Sequence, residues 1–191
     1  VTVTRFDRTD LQLVSTELAG VHDSERAGTE LGTKLMAKPQ LRAVLVLCDG
    51  LAVNGATLAS ALTAVVGPNV TVTGGLAADG FDFKQTWLTI GGSIKSGVAA
   101  AVGFYGPNIV VGHGISRDWI VQPKEWVITR CEGNFVFELD YQPAIEVYRA
   151  ALADRADELP EVAIWYPLAV RVGAEAPVTR TVIGIDEAEG A

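Results

Sequence analysis

Apolar and polar residues alternate from Val1 to Phe6 and again from Leu11 to Thr16, with Arg8-Thr9-Asp10 between them. Period two with a polar break predicts a β-hairpin. The period then lengthens. Asp23-Ser24 offers a helix cap, Ala27, Leu31 and Leu35 recur at helical spacing, and Lys38-Pro39 closes the segment. Ala43 to Leu47 is a short apolar run of the kind a buried strand carries. Asn54-Gly55 opens a second helix with Leu58, Leu62 and Val65 on its apolar face, ended by Gly67-Pro68. A strand at Val70–Thr73 then enters the stretch VTGGLAADG.

Beyond Gly80 the helical period gives way to short runs: Thr86–Ile90, Val98–Phe104, Asn108–Gly112, Trp119–Gln122, Trp126–Arg130 and Asn134–Leu139. Gly-Gly, Gly-Pro-Asn and Glu-Gly-Asn separate them at hairpin spacing, which predicts strands paired antiparallel. Pro143 sits well for a first helical position, with Ala144, Val147, Tyr148 and Ala151 on one face. Leu168–Val172 and Val178–Ile185 read as further strands. Helices early, hairpins in the middle and a helix near the end give an α+β class, with a large mostly antiparallel sheet or sheets and flanking helices. Charge and proline cluster near residues 155–165, where a domain boundary is expected.

The chain has 191 residues, 49% of them hydrophobic and 20% charged, enough to build a packed core. Its formal net charge of −8 makes a nucleic acid a poor partner. No apolar run approaches the length of a membrane span. The start at Val1, with neither a methionine nor a signal segment, leads us to expect that an upstream part is missing. Cys48 and Cys131 lie far apart and without metal-type spacing, and the histidines are two, His22 and His113. This composition favours a reduced, cytoplasmic setting and no bound metal.

Candidate chemistry gathers at strand ends. Gly74-Gly75 and Gly80 fit neither the dinucleotide fingerprint nor a Walker A loop, so no cofactor is expected. Two readings of the Gly-Gly step stay open: tight packing of strands, or a pocket wall whose backbone N–H groups face a ligand. Asp49, at the end of a buried strand, either caps the following turn or receives an ammonium group. Cys48 is either a small core residue or a nucleophile. His113, between two glycines, either orients a ligand or is an ordinary turn residue. Arg130 pairs either with a ligand carboxylate or across strands.

Several stretches resemble, in order, the second part of a FIST N domain: VLVLCDGLAVNGATLASAL, VTGGLAADG, VGHGISRDW and VITRCEGNFVFELDYQPAIEVYRAAL. WYPLAVRV and TRTVIGIDEAEG resemble the opening of the accompanying FIST C domain. On this resemblance residues 1–155 form a FIST N-like sensory domain and 156–191 the start of a FIST C-like segment. Tyr141 stands where the family usually has glycine, which implies a less bent turn from Asp140 to Pro143. The FIST N domain is an intracellular sensory module of bacterial signalling proteins and of certain F-box proteins. The resemblance implies small-ligand sensing in signal transduction, with amino acids or related molecules as the class. It carries over no catalytic residue.

The leading expectation is therefore a ligand-binding domain with no chemistry of its own, whose site is lined by Asp49, Gly74, Gly75, Asp79 and His113. One alternative is a hydrolase or transferase using Cys48 and His113. Another is an interaction scaffold for a signalling protein, with Trp87, Trp119 and Trp126 as anchors.

Overall fold

The computed structural model describes residues 3–80, 82–112 and 119–191. The chain forms two compact units, 1–115 and 116–191. The expected 155–165 boundary falls within the second.

In the first unit, β1 (Asp10–Glu17), β2 (Leu41–Asp49), β3 (Thr71–Ala77) and β6 (Val98–Tyr105) form a four-stranded sheet in the order β1-β6-β2-β3. Both partners of β6 run antiparallel to it, and β3 runs parallel to β2. That parallel pair needs a crossover, which α2 (Gly55–Val66) supplies. Helix α1 (Ser24–Met36) lies beside α2, and the two cover one face of the sheet. Leu31, Leu35, Leu58 and Leu62 are fully buried there against Val44, Val46, Ala99 and Ala101. The helices can approach because Gly28 and Gly32 face α2: a Cβ on Gly28 would stand 2.4 Å from the Leu58 carbonyl oxygen.

The other face of the sheet is covered in part. A short hairpin of β4 (Leu88–Ile90) and β5 (Ser93–Lys95) turns through Gly91-Gly92, both at positive φ as a tight hairpin requires. Its Leu88 and Ile90, with Ala77, pack on Val98 and Ala100. Further along, the Phe6 ring meets Phe104 edge-on at 5.6 Å between centroids.

The second unit holds a three-stranded sheet of β7 (Ile128–Glu132), β8 (Phe135–Leu139) and β9 (Gln142–Pro143), then α3 (Ala144–Leu152). A two-stranded sheet of β10 (Leu168–Val170) and β11 (Val178–Arg180) follows.

The α+β class with mostly antiparallel pairing holds, and four local expectations change. Residues 3–6 form no strand, and β1 pairs with β6 rather than with the segment before it. Among the described residues no strand pairs with residues 3–6, and Val3 is exposed. Asn108–Gly112 and the Trp119–Gln122 run are not strands. The last strand ends at Arg180 instead of Ile185. The Asp140-Tyr141 turn is not relaxed by tyrosine: φ is 48° at Asp140 and 63° at Tyr141. Two consecutive left-handed residues joining β8 to β9 make a tight primed turn, where glycine is the unstrained choice. Tyr141 keeps the geometry and carries the strain.

Candidate functional site

The carboxyl ends of β2 and β3 lie side by side, with Asp49 opposite Ala77. Two loops leave this end, residues 50–54 toward α2 and a second that includes residues 78–80 and 82–87 toward β4. In open sheets with parallel strands this is the end where ligands commonly meet the protein.

Asp49 is buried and organises the first loop. One carboxylate oxygen accepts from the Leu51 and Ala52 N–H groups at 2.9 and 3.1 Å. The other accepts from Gly97 N–H at 2.8 Å and the Ser96 hydroxyl at 3.1 Å. Burial pushes its pKa up, but bonds from Gly97, Thr86, Leu51 and Ala52 outweigh that and hold it down, at about 2. Asp49 is thus an ionised group that caps the turn after β2 and ties it to the start of β6. Thr86, also buried, accepts the Gly50 N–H at 3.1 Å and fixes the second loop against the first.

Asp79 does the same for its own loop. Its carboxylate accepts from the N–H groups of Phe83, Lys84 and Gln85 at 3.2, 2.7 and 2.9 Å. The bonds from Gln85 and Lys84 lower its pKa, so it too is ionised at neutral pH. Among the described residues, one of its oxygens takes a single bond, at 3.2 Å, and keeps acceptor capacity.

Gly74 and Gly75 lie inside β3, not in a loop, and they differ. A Cβ on Gly74 would fall 1.8 Å from the Val46 carbonyl oxygen, so glycine lets β3 press against β2. A Cβ on Gly75 meets nothing within 4 Å. The step thus contains one packing glycine and one open glycine. Gly75 pairs with Leu47, which is half exposed beside it.

Helix α2 begins at the same end. The Asn54 side chain accepts from Thr57 N–H at 3.1 Å, and the Asn54 carbonyl accepts from Leu58 N–H. This leaves Gly55 and Ala56 as first-turn donors at the positive end of the helix dipole. A Cβ on Gly55 would lie 3.3 Å from Leu76, so the start of α2 abuts the end of β3.

Cys48 points the other way, into the core beneath α1 and α2. Burial, and then the neighbouring Asp49 charge, push its thiol up to about 11. That is the setting of a core residue and gives no thiolate for attack at neutral pH. His113 lies outside the described residues. Among the described residues no cluster of histidine, cysteine and carboxylate side chains is arranged to hold a metal.

Arg130 pairs across strands with Glu138 at 3.3 Å and lies over the Phe137 ring at 4.6 Å. It borders a groove of about 380 Å³ in the second unit, with Tyr141 and Glu146 also on its rim. Trp87 and Trp119 are half exposed, and Trp126 is half buried under Lys124.

A comparison with known families decides what kind of module this is: the FIST N domain matches residues 1–142. The chain belongs to the FIST N family. FIST domains are generally sensory domains of signal transduction. No curated protein and no solved structure matches the chain. No helix among the described residues of this FIST chain is long and apolar enough to cross a membrane. Two features of its candidate site escaped the sequence reading. Thr86 carried no signal, because a lone threonine in an apolar run looks like any strand residue. The open donors of α2 were readable in principle, since Asn54-Gly55 marks a capped helix start directly after a buried strand.

Proposed function

We propose that this FIST chain is the ligand-binding part of a cytoplasmic sensor for amino acids or related small acids. The ligand would sit at the carboxyl ends of β2 and β3. The observation that carries this reading is the preorganised pair of loops there. Asp49, Asp79 and Thr86 brace them with hydrogen bonds internal to the chain, while among the described residues the Gly55 and Ala56 N–H groups at the start of α2 meet no acceptor. Backbone N–H groups of Gly55 and Ala56 suit a ligand carboxylate. Asp79 keeps acceptor capacity for an ammonium group. Asp49 shapes the wall from behind, Gly74 and Gly75 leave the strand below free of side chains, and His113 completes the proposed set. Residues 156–191 would begin the FIST C-like segment that follows.

A thermal-shift screen of amino acids and short carboxylic acids tests this. Ligand at about 100 times its dissociation constant should add about 2.7 kcal/mol of stability. The shift should fall in Asp79→Asn for ligands with an amine and persist for those without one. A flat response across the whole set, with the protein folded, overturns the reading.

A further inference from the structure

The two edges of the four-stranded sheet are finished differently. At the β1 edge, the Ser15 carbonyl accepts from Lys34 Nζ at 2.8 Å and the Glu17 carbonyl from an Arg26 guanidinium nitrogen at 2.7 Å. Asp10 and Glu17 add charge at both ends of β1. Side chains and charges of this kind are how a sheet edge is kept from pairing with other chains. Strand β3, with the sequence TVTGGLA, has none of them: no charge, no proline and no register shift against β2. Among the described residues nothing pairs with its outer side.

The side-chain relief of β3 narrows what fits. Gly74 is closed by the Val46 carbonyl, while Gly75 leaves a vacant position on the face away from the helices, beside half-exposed Leu47. A bulky apolar side chain on an added strand, set opposite Gly75, would cover that position and bury Leu47; cross-strand filling of a glycine is a known way to stabilise a sheet edge. A second copy does not fit well. Thr71, Thr73 and Ala77, which β3 itself shows on that face, are small, and two chains of net charge −8 repel. At the carboxyl end of β3, Asp79 and Asp82 outnumber Lys84.

We propose that β3 is a strand-addition site for an extended segment of a partner protein, with a bulky apolar residue opposite Gly75 and a basic residue near Asp79. Backbone hydrogen bonds along β3 supply affinity, and the position over Gly75 supplies selection. This surface runs along the edge of the sheet and meets the proposed small-ligand site at Gly75 and Asp79, while the backbone pairing along β3 belongs to the strand alone.

The test uses the whole chain and synthetic peptides of about nine residues, alternating Thr and Val with Lys at each end, and varied at the centre. Binding is read by fluorescence anisotropy. A central Phe or Leu should bind about tenfold or more tighter than a central Gly. N-methylation of alternate backbone amides on one side should abolish binding, an effect with no counterpart for a small ligand. Gly75→Val should lower affinity for the central-Phe peptide by about tenfold and bring the central-Gly peptide level with it. No binding by any peptide up to roughly 1 mM overturns the proposal. So does equal binding of the Phe and Gly peptides, insensitivity to N-methylation, or a concentration-dependent dimer in light scattering that the peptides do not dissolve.

Discussion

Two adjacent glycines should respond to the same substitution with opposite sign. At Gly74 the Cβ of alanine would stand 1.8 Å from the Val46 carbonyl oxygen and 2.8 Å from both the Val46 carbonyl carbon and its Cγ1. The nearest atoms are mainly backbone, which cannot swing aside, so β2 and β3 must part by roughly 1 Å or more to restore van der Waals contact. A separation of that size takes a ladder hydrogen bond beyond its working distance, at about 0.5–1.5 kcal/mol for each bond lost. Overpacking strain adds about 1–3 kcal/mol. Gly74→Ala should therefore cost about 2–4 kcal/mol. At Gly75 the Cβ meets open space, and its φ lies outside the left-handed region. Alanine there narrows the unfolded ensemble and should stabilise by about 0.4–1 kcal/mol. Urea melts of the two variants, followed by circular dichroism, give the comparison, with hydrogen exchange of the β2 and β3 amides locating the loss. Equal melts for both variants would refute the close approach at Gly74. A Gly75→Ala cost matching that of Gly74→Ala would refute the open face.

Other consequences can be checked independently. Asp49 has its folded pKa, about 2, below its unfolded value near 3.8, so its contribution is complete above about pH 4 and is lost as pH falls toward 2. That contribution is about 2 kcal/mol, and Asp49→Asn should remove this part of the acid limb in melts across pH. Iodoacetamide at about pH 8.5 should label exposed Cys131 and leave buried Cys48 intact in the folded chain, as read by peptide mass spectrometry; prompt Cys48 labelling would reopen a nucleophilic role. Tyr141→Gly should stabilise the second unit by about 1 kcal/mol in a urea melt, because it removes a left-handed non-glycine residue, and no gain would mean that the exposed ring offsets the strain.

The parts of this fold that were legible in the sequence are those where one local period meets one buried face. Ala27, Leu31 and Leu35 recur at helical spacing because one side of α1 meets the core, and all three are fully buried. The Gly91-Gly92 and Gly133-Asn134 turns were legible for another reason: a tight hairpin requires backbone that few residues adopt. Pairing over distance was not legible. Strand β1 lies beside β6, with Asp10 opposite Tyr105, and nothing within Asp10–Glu17 specifies that partner over the nearer Val1–Phe6. Alternation reports a residue's suitability for a pleated surface and is silent on whether a neighbouring strand exists, as exposed Val3 shows.

The candidate site divides along the same line. That Asp49 and Asp79 mattered was readable from their place at strand ends, but how their oxygens are used was not. Each accepts from backbone N–H groups or from side chains brought in by later segments, Asp49 from the Gly97 N–H that lies 48 positions onward. A carboxylate at a strand end is free for a ligand only when the chain fails to supply donors, and donor supply is a tertiary property. The Gly-Gly step illustrates the same limit at the smallest scale. Gly74 and Gly75 are chemically identical neighbours, and only the position of the Val46 carbonyl makes one a packing residue and the other a vacancy. A vacancy on an unguarded edge strand is an asymmetry that packing does not require. Had Gly75 served stability alone, alanine would have done better there, and that is the reason to look for its use in what docks against it.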